Sequence, residues 1–444
     1  MSDDYPSPFR AWWTLATLVA LYIVSMLDRQ IIALLIGQIK TSLKVSDFEV
    51  SLIYGLAFAT FFCLAGLPIG WAIDRFPRRP LVFVGVIIWS IATACCGLAT
   101  QYWHLAISRF AVGAGEAALS PAAYSLLADS MPKKRLGLAL GIFGMGGALG
   151  TGVALALGGL ILSKVPPAGI ETSFGHFAPW QITFILVAIP ALILAPLIFT
   201  FPEPRRRDQI AIEKPTISAT LHFISARSTF FVRFFIGNGA LVLCAYAFSA
   251  WAPTFLVRRY GLGMSTASQW VAACAIVAVP VGLLLLGHIA DRMFANGQRD
   301  AHMKLFSVIG ILFAGLGVLM AATNNFAISM IAMFLIFMAS GLAPIAAALP
   351  LTTPNQFRGQ VSSVYLLVTN LLGAGLGPTM TALFTDFYFK DDAMVGWSIA
   401  AVLMICGPLS SLLLFSARRP MLSAIDDASA WADQPAALST DKDN

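Results

Sequence analysis

The chain has 444 residues, 58% of them hydrophobic and only 11% charged, with a formal net charge of +6 and a mean hydropathy of +0.80. Soluble domains carry about 25% charged residues, so this composition excludes a soluble enzyme or binding module and requires a lipid-embedded chain. The basic excess follows the ends of apolar runs, which is a topology signal rather than a nucleic-acid surface.

Apolar runs long enough for a hydrocarbon core of about 30 Å recur along the sequence. Twelve are expected as helices: 12–36, 51–72, 80–99, 103–127, 136–162, 179–201, 230–257, 267–290, 304–322, 326–349, 360–386 and 395–416. Their length and the lack of period-two alternation favour helices over a barrel. The first run contains Asp28 and Arg29, and the fourth contains Arg109 and Glu116. A charge at mid-bilayer depth costs on the order of 3 kcal/mol and is tolerated mainly where it faces a bundle interior or a water-filled path. Arg109 and Glu116, seven residues apart, share a helix face. Asp28 reaches a similar depth from the other side, so an inward cluster of Asp28, Arg109 and Glu116 is expected. Arg29 is equally compatible with the cavity and with a headgroup layer.

With both termini cytoplasmic, the inner loops take most of the basic residues. Among them are Arg75, Arg78, Arg79, Lys133, Lys134, Arg135, Arg205, Arg206 and Arg207. The outer loops hold only Lys40, Lys44, Lys164, Arg258, Arg259 and Lys390. This is the bias of an inner or plasma-membrane protein under the positive-inside rule. The first run lacks a small-residue cleavage site and is expected to be retained. Cys63, Cys95, Cys96, Cys244, Cys274 and Cys406 all lie in apolar runs and read as small core residues.

The segment 202–229, with Pro202, Pro204 and a short surface helix around 217–225, divides the spans six and six. The domains expected are thus an N-terminal bundle (1–201), a cytoplasmic linker (202–229), a C-terminal bundle (230–416) and a disordered tail (417–444). The halves repeat one another. Gly70-Trp-Ala-Ile-Asp74-Arg75 closes helix 2, and Gly287-His-Ile-Ala-Asp291-Arg292 closes helix 8. Pro121 and Arg135 recur as Pro344 and Arg358, both 223 residues on. Such repeats mark carriers whose halves rock about a midplane site. Because Arg109 and Glu116 map to Ala332 and Ala339 at that spacing, the charges belong to one half alone. Packing does not require that asymmetry; a titrating site does.

The string Gly66-x-x-x-Gly70-x-x-x-Asp74-Arg75-x-x-Arg78-Arg79 resembles the loop 2–3 signature of the major facilitator superfamily. Within it the chain is similar to the Spinster branch, through Leu27-Asp28-Arg29-Gln30, Ser108-Arg109-Phe110 with Gly113-Ala-Gly115-Glu116, and Trp251-Ala-Pro253-Thr-Phe255-Leu-Val-Arg258. The resemblance implies an all-α membrane protein of twelve helices in two pseudo-symmetric bundles. It also implies that Asp28, Arg109 and Glu116 serve proton coupling or substrate binding. Animal Spinster relatives are associated with sphingosine phosphate and lysolipids, which implies an amphipathic or lipid-like substrate.

A cytoplasmic gate is expected from Gly70, Asp74, Arg75, Arg78, Arg79 and Asp129. Gly66 and Gly70 permit close packing of helix 2, expected against helix 11, while the charges form a latch at the rim. Tyr246, Trp251, Phe255, Asn238 and Asn370 are expected to form an aromatic and weakly polar wall in the other half. Gly113-Ala-Gly115-Glu116-Ala-Ala118 matches a dinucleotide fingerprint only in spelling, since no strand precedes it. Neither a phosphate loop nor metal-ligand His spacing is present, so no enzyme activity, cofactor, metal or nucleic-acid partner is expected. The expectation is a monomeric secondary transporter among membrane lipids, coupled to protons, for an amphipathic substrate. A transporter-like ligand sensor and a carrier for a polar organic anion are the alternatives.

Overall fold

The computed structural model describes residues 5–173, 175–206 and 216–432. The first bundle contains α1 (Pro8–Leu43), α2 (Asp47–Arg75) and α3 (Arg78–Gly97). These are followed by α4 (Tyr102–Glu116 continued by Leu119–Ser130), α5 (Lys133–Lys164) and α6 (Pro179–Phe199). The second bundle contains α7 (Ser228–Tyr260), α8 (Met264–Ala295), α9 (Ala301–Ala322), α10 (Phe326–Thr352), α11 (Gln356–Phe389) and α12 (Asp392–Ser416). Eleven of these are long and apolar enough to cross a membrane; α4 is the twelfth, and its two segments follow from one residue. A proline inside a helix removes a donor and clashes with the carbonyl four residues earlier. For Pro121 that carbonyl belongs to Ala117, where α4 breaks. Pro344 stands in the same relation to Ser340, where the regular turns of α10 lapse. The repeat seen in the sequence is therefore a repeat of helix breaks.

The two bundles meet along α1–α7, α2–α11 and α5–α8, all toward the end away from the linker. At the α2–α11 crossing both helices widen into π-helical turns, Leu52–Ala57 and Leu371–Leu376. Gly55 makes this crossing: a Cβ there would stand 2.6 Å from the Gly375 carbonyl oxygen and 2.8 Å from that of Ala374. On the α5–α8 seam, Ser265 Oγ donates to the Gly159 carbonyl at 2.9 Å. At the linker end the bundles part. Gly66 and Gly70 of α2, Gly141 and Gly144 of α5 and Gly359 of α11 face open space. The expected close approach of α2 to α11 thus runs through Gly55, not Gly66 and Gly70, which face open space in this state.

Two further departures concern the connections. The α5–α6 segment carries a short antiparallel hairpin, Ile170–Thr172 with Gly175–Phe177. The tail expected to be disordered forms a helix over Arg418–Ala432. It buries Met421, Ala424 and Ile425, and it is pinned by Arg418–Asp300 at 2.5 Å, Arg299–Asp426 at 2.7 Å and Arg227–Asp427 at 3.2 Å. Asp426 and Asp427 neutralise basic residues at the rim of the second bundle. The linker helix appears at Ile217–Ala226, capped by Thr216. Arg207 and residues 433–444 lie outside the described residues.

Candidate functional site

A cavity lies between the bundles at the depth of the buried charges. On the first-bundle side Met26, Arg29 and Gln30 of α1, Tyr54 and Phe58 of α2, Arg109 of α4 and Thr151 of α5 form its wall. Met26, Arg29 and Gln30 stand at i, i+3 and i+4, one stripe of α1. The second bundle contributes Tyr246, Ser249, Val279, Phe337 and Ser340 among others.

The three expected charged residues are all buried: Asp28 and Arg109 are fully enclosed, and Glu116 is 1% exposed. Their pairing differs from the simple cluster. Glu116 Oε2 accepts from Arg29 Nε at 2.5 Å and from Ser25 Oγ at 2.7 Å. Arg29 therefore faces inward, and its guanidinium lies over the rings of Phe58 and Phe62 at 4.8 and 4.9 Å. This resolves the ambiguity at Arg29: stacking and a buried carboxylate offset the cost of holding the cation away from a headgroup. Arg109 does not bond the Asp28 carboxylate. Its Nη1 donates to the Asp28 main-chain carbonyl at 3.1 Å, while Nε and Nη2 have no hydrogen-bond partner. Both Asp28 carboxylate oxygens are likewise buried without one.

Two arginines thus line the cavity, and the two carboxylates lie behind that wall. A neutral hydrogen-bond chain crosses the gap beside them. Tyr54 Oη donates to Gln30 Oε1 at 2.5 Å, and Gln30 Nε2 reaches Ser249 Oγ of α7 at 3.4 Å.

The wall expected in the second bundle is built from other residues. Tyr246 lines the cavity, but Trp251 is fully buried and its Nε1 donates to the Pro378 carbonyl at 3.0 Å. Phe255 is packed in the same core, and Asn238 Nδ2 donates to Tyr365 Oη at 2.9 Å. Asn370 turns back on its own helix, donating to the Leu366 carbonyl at 2.8 Å. The aromatic spacing on α7 marks a packing face rather than the cavity. Phe58, Phe337, Ser249 and Ser340 do line it, and the sequence reading missed them. Single residues on several helices leave no local pattern to find.

The expected gate residues are grouped at the linker end, with partners that the sequence reading did not include. Arg78 is 1% exposed as a side chain and pairs with Asp129 of α4. It also pairs with Glu203 of the linker at 2.8 Å, and its Nη2 donates to the Pro204 carbonyl at 2.6 Å. Glu203 in turn accepts from the main-chain N–H groups of Arg78 and Arg79 at 3.2 and 3.0 Å, which caps the start of α3. Arg79 donates to the Ile198 and Phe199 carbonyls. Arg206 donates to the carbonyls of Ile73, Asp74 and Phe76, satisfying the end of α2. Asp74 and Arg75 are exposed beside Gly70, and Arg75 stacks on Trp71. All these bonds stay within the first bundle and the linker.

At the opposite end a second cluster joins the bundles. Arg258 of α7 grips the fully buried Asp47 of α2 with both Nη atoms, at 2.6 and 2.9 Å. Lys40 of α1 reaches Asp392 of α12 at 2.6 Å and Asp47 at 3.4 Å. Asp386 of α11 accepts from the Phe48 main-chain N–H at 2.7 Å. The three carboxylates, Asp47, Asp386 and Asp392, lie within 4.8 Å of one another, and Lys40 and Arg258 pair with Asp47 and Asp392 across the seam.

A polar site between two pseudo-symmetric six-helix halves, open at one end and clamped at the other, defines a membrane carrier. The chain belongs to the Major Facilitator Superfamily, whose family model matches residues 18–378. It is similar to an MFS-type efflux pump of Mycolicibacterium smegmatis, at 25% identity over 90% of this chain and 91% of that protein. A sphingosine-1-phosphate transporter, SPNS2 of Danio rerio, is 26% identical over 57% of this chain and 49% of its own length. Among solved structures, a bacterial homologue of the human lysosomal transporter Spinster, inward-facing and unoccupied, superposes with a TM-score of 0.77. It has 22% identity and covers 96% of this chain and 98% of that one. The protein is an integral membrane transporter of Spinster-like fold and not an enzyme.

Proposed function

We propose that the protein is a proton-coupled carrier working by alternating access, and that its substrate is an organic anion with an apolar body. The single observation that carries the substrate class is Arg109: a fully buried guanidinium in the cavity wall with Nε and Nη2 unpaired. An enclosed cation short of acceptors favours an acidic head group. Arg29 adds a second charge, while Met26, Phe58, Val279 and Phe337 supply apolar surface for the rest of the molecule. SPNS2 is named for a phosphorylated amphiphile, which agrees with this division. A substrate anion competes with Glu116 for Arg29, and Asp28, the residue before Arg29 on α1, lies behind the wall; both acids can therefore exchange protons as the anion binds. One chain supplies both bundles and the whole cavity, so one chain is the functional unit.

The experiment is uptake into proteoliposomes under an imposed pH gradient, with labelled sphingosine 1-phosphate and a sugar acid as the two probes. Arg109→Gln is expected to lower uptake of the transported anion by about 30-fold or more, the usual result of removing one partner of a desolvated charge contact. Parent-level uptake by Arg109→Gln, or equal transport of an uncharged analogue, defeats the reading. Counterflow under the same conditions separates a carrier from a ligand sensor, which binds without moving its ligand.

Sidedness rests on the basic linker end, where Arg78, Arg79, Arg135, Arg205 and Arg206 gather. That end is assigned to the cytoplasm of an inner or plasma membrane, and the present state is open toward it. In the opposite state Gly66 and Gly70 again meet α11, and Asp74 latches the rim. Asp74→Asn should then shift the population toward the present form. Spin-label distances between the linker ends of α4 and α10 report this, and a distribution equal to the parent's at every pH rules the latch out.

A further inference from the structure

We propose that Trp89 and Thr93 of α3 are positioning residues that receive the Asp28 carboxylate when its proton leaves. The inference rests on the proton-coupling reading above and assigns to α3 a part in it. Four buried polar atoms without hydrogen-bond partners coincide here: both Asp28 carboxylate oxygens, Trp89 Nε1 and Thr93 Oγ1. Each of the three residues is fully enclosed. Trp89 and Thr93 are four residues apart and so share one face of α3, and both side chains lie within reach of the Asp28 carboxylate without completing a hydrogen bond to it. Native interiors leave few such groups unpaired. Two donors beside two acceptors, none yet in hydrogen-bonding geometry, describe a receptor that a small displacement completes.

The neighbouring hydroxyl sharpens the point. Ser90 Oγ bonds back to the Val86 carbonyl at 2.7 Å, the ordinary fate of a hydroxyl inside a helix. Thr93 makes no such bond and keeps its O–H available. Trp89 is held in place by its backbone: a Cβ added at Gly115 of α4 would stand 2.7 Å from Trp89 N and 2.8 Å from the Gly85 carbonyl. With α3 and α4 locked at that crossing, α1 is the partner that can adjust. Titratable groups around Asp28 are Arg109 and Glu116 from α4 and Cys96 from α3. Of these, Arg109 is tied to the main chain of Asp28 rather than to its carboxylate.

A neutral acid tolerates the loose geometry seen here. An ionised carboxylate does not, and hydrogen bonds to the charged form favour that form. Proton release therefore draws α1 toward α3. Arg29, one residue along the same helix, moves with it relative to the cavity.

The test needs no substrate. The full-length protein in nanodiscs is titrated by difference infrared spectroscopy, following the carbonyl-stretch band of a protonated carboxylic acid that disappears in Asp28→Asn. Thr93→Val keeps the shape and removes the donor, so the carboxylate loses support and holds its proton longer. The midpoint of the band is expected to move to higher pH by about one unit. Trp89→Phe should move it in the same direction, and Thr93→Ser should restore the parent value. A parent-like midpoint in both Thr93→Val and Trp89→Phe, with the band present, overturns this inference and leaves Asp28 as the coupling residue. If Asp28→Asn removes no titrating band, the coupling reading falls and this one with it.

Discussion

Asp28→Asn protein in liposomes is expected to exchange labelled anion down its own gradient at close to the parental rate and to lose accumulation driven by a pH gradient. Asparagine keeps the size and polarity of the side chain in its fully enclosed site but cannot carry a proton. Each coupled proton contributes about 1.4 kcal/mol per pH unit, or a tenfold concentration ratio. A gradient of about two units can therefore sustain up to about 100-fold accumulation by the parent, per proton. The variant should equilibrate at a ratio near unity. If it accumulates anion as the parent does, coupling passes to Glu116, whose 2.5 Å bond to Arg29 gives it a direct link to the cavity.

The second large effect is expected at the far end of the molecule. Arg258→Gln leaves Asp47 enclosed beside two other carboxylates, with Lys40 at 3.4 Å as its remaining cation. Removing one partner of a buried ion pair costs about 3–5 kcal/mol. The Lys40 contact and the 14% exposure of the Arg258 side chain reduce that to about 2 kcal/mol, or roughly a 30-fold change in the population of the clamped state. Spin labels at Lys44 and Asn324, both exposed on the outer loops, should report a longer distance for the variant. A distribution unchanged from the parent shows that the seam is held by packing at Gly55 and Gly375, with the charges incidental. Because Arg258 lies well away from Arg29 and Arg109, anion binding to detergent-solubilised protein should survive the change.

Several properties follow from the sequence alone because each is local. A run of about 20 apolar residues must satisfy its backbone internally in lipid, so twelve helices were legible from length and composition. The repeat was legible because Pro121 and Pro344 act on their own helices, through the carbonyls of Ala117 and Ser340. The cost of burying charge singled out Asp28, Arg109 and Glu116 without any coordinates. The stripe Met26, Arg29, Gln30 was also legible, since i, i+3 and i+4 share a face.

Only the tertiary structure decided which charges meet. Residues 28 and 29 lie about 100° apart around α1, so the rotation of α1 about its own axis decides which of the two faces Glu116. Packing against Phe58, Phe62 and Ser25 selects Arg29. The aromatics of α7 show the same limit, since a core face and a cavity face have the same period, and only the position of Pro378 places Trp251 in the first. Partners distant in sequence were equally hidden: Glu203 and Arg206 complete the loop after α2, and Asp47 meets Arg258 across the seam. A carboxylate's partner is set by which helices cross at its depth, and that depends on how the whole bundle packs.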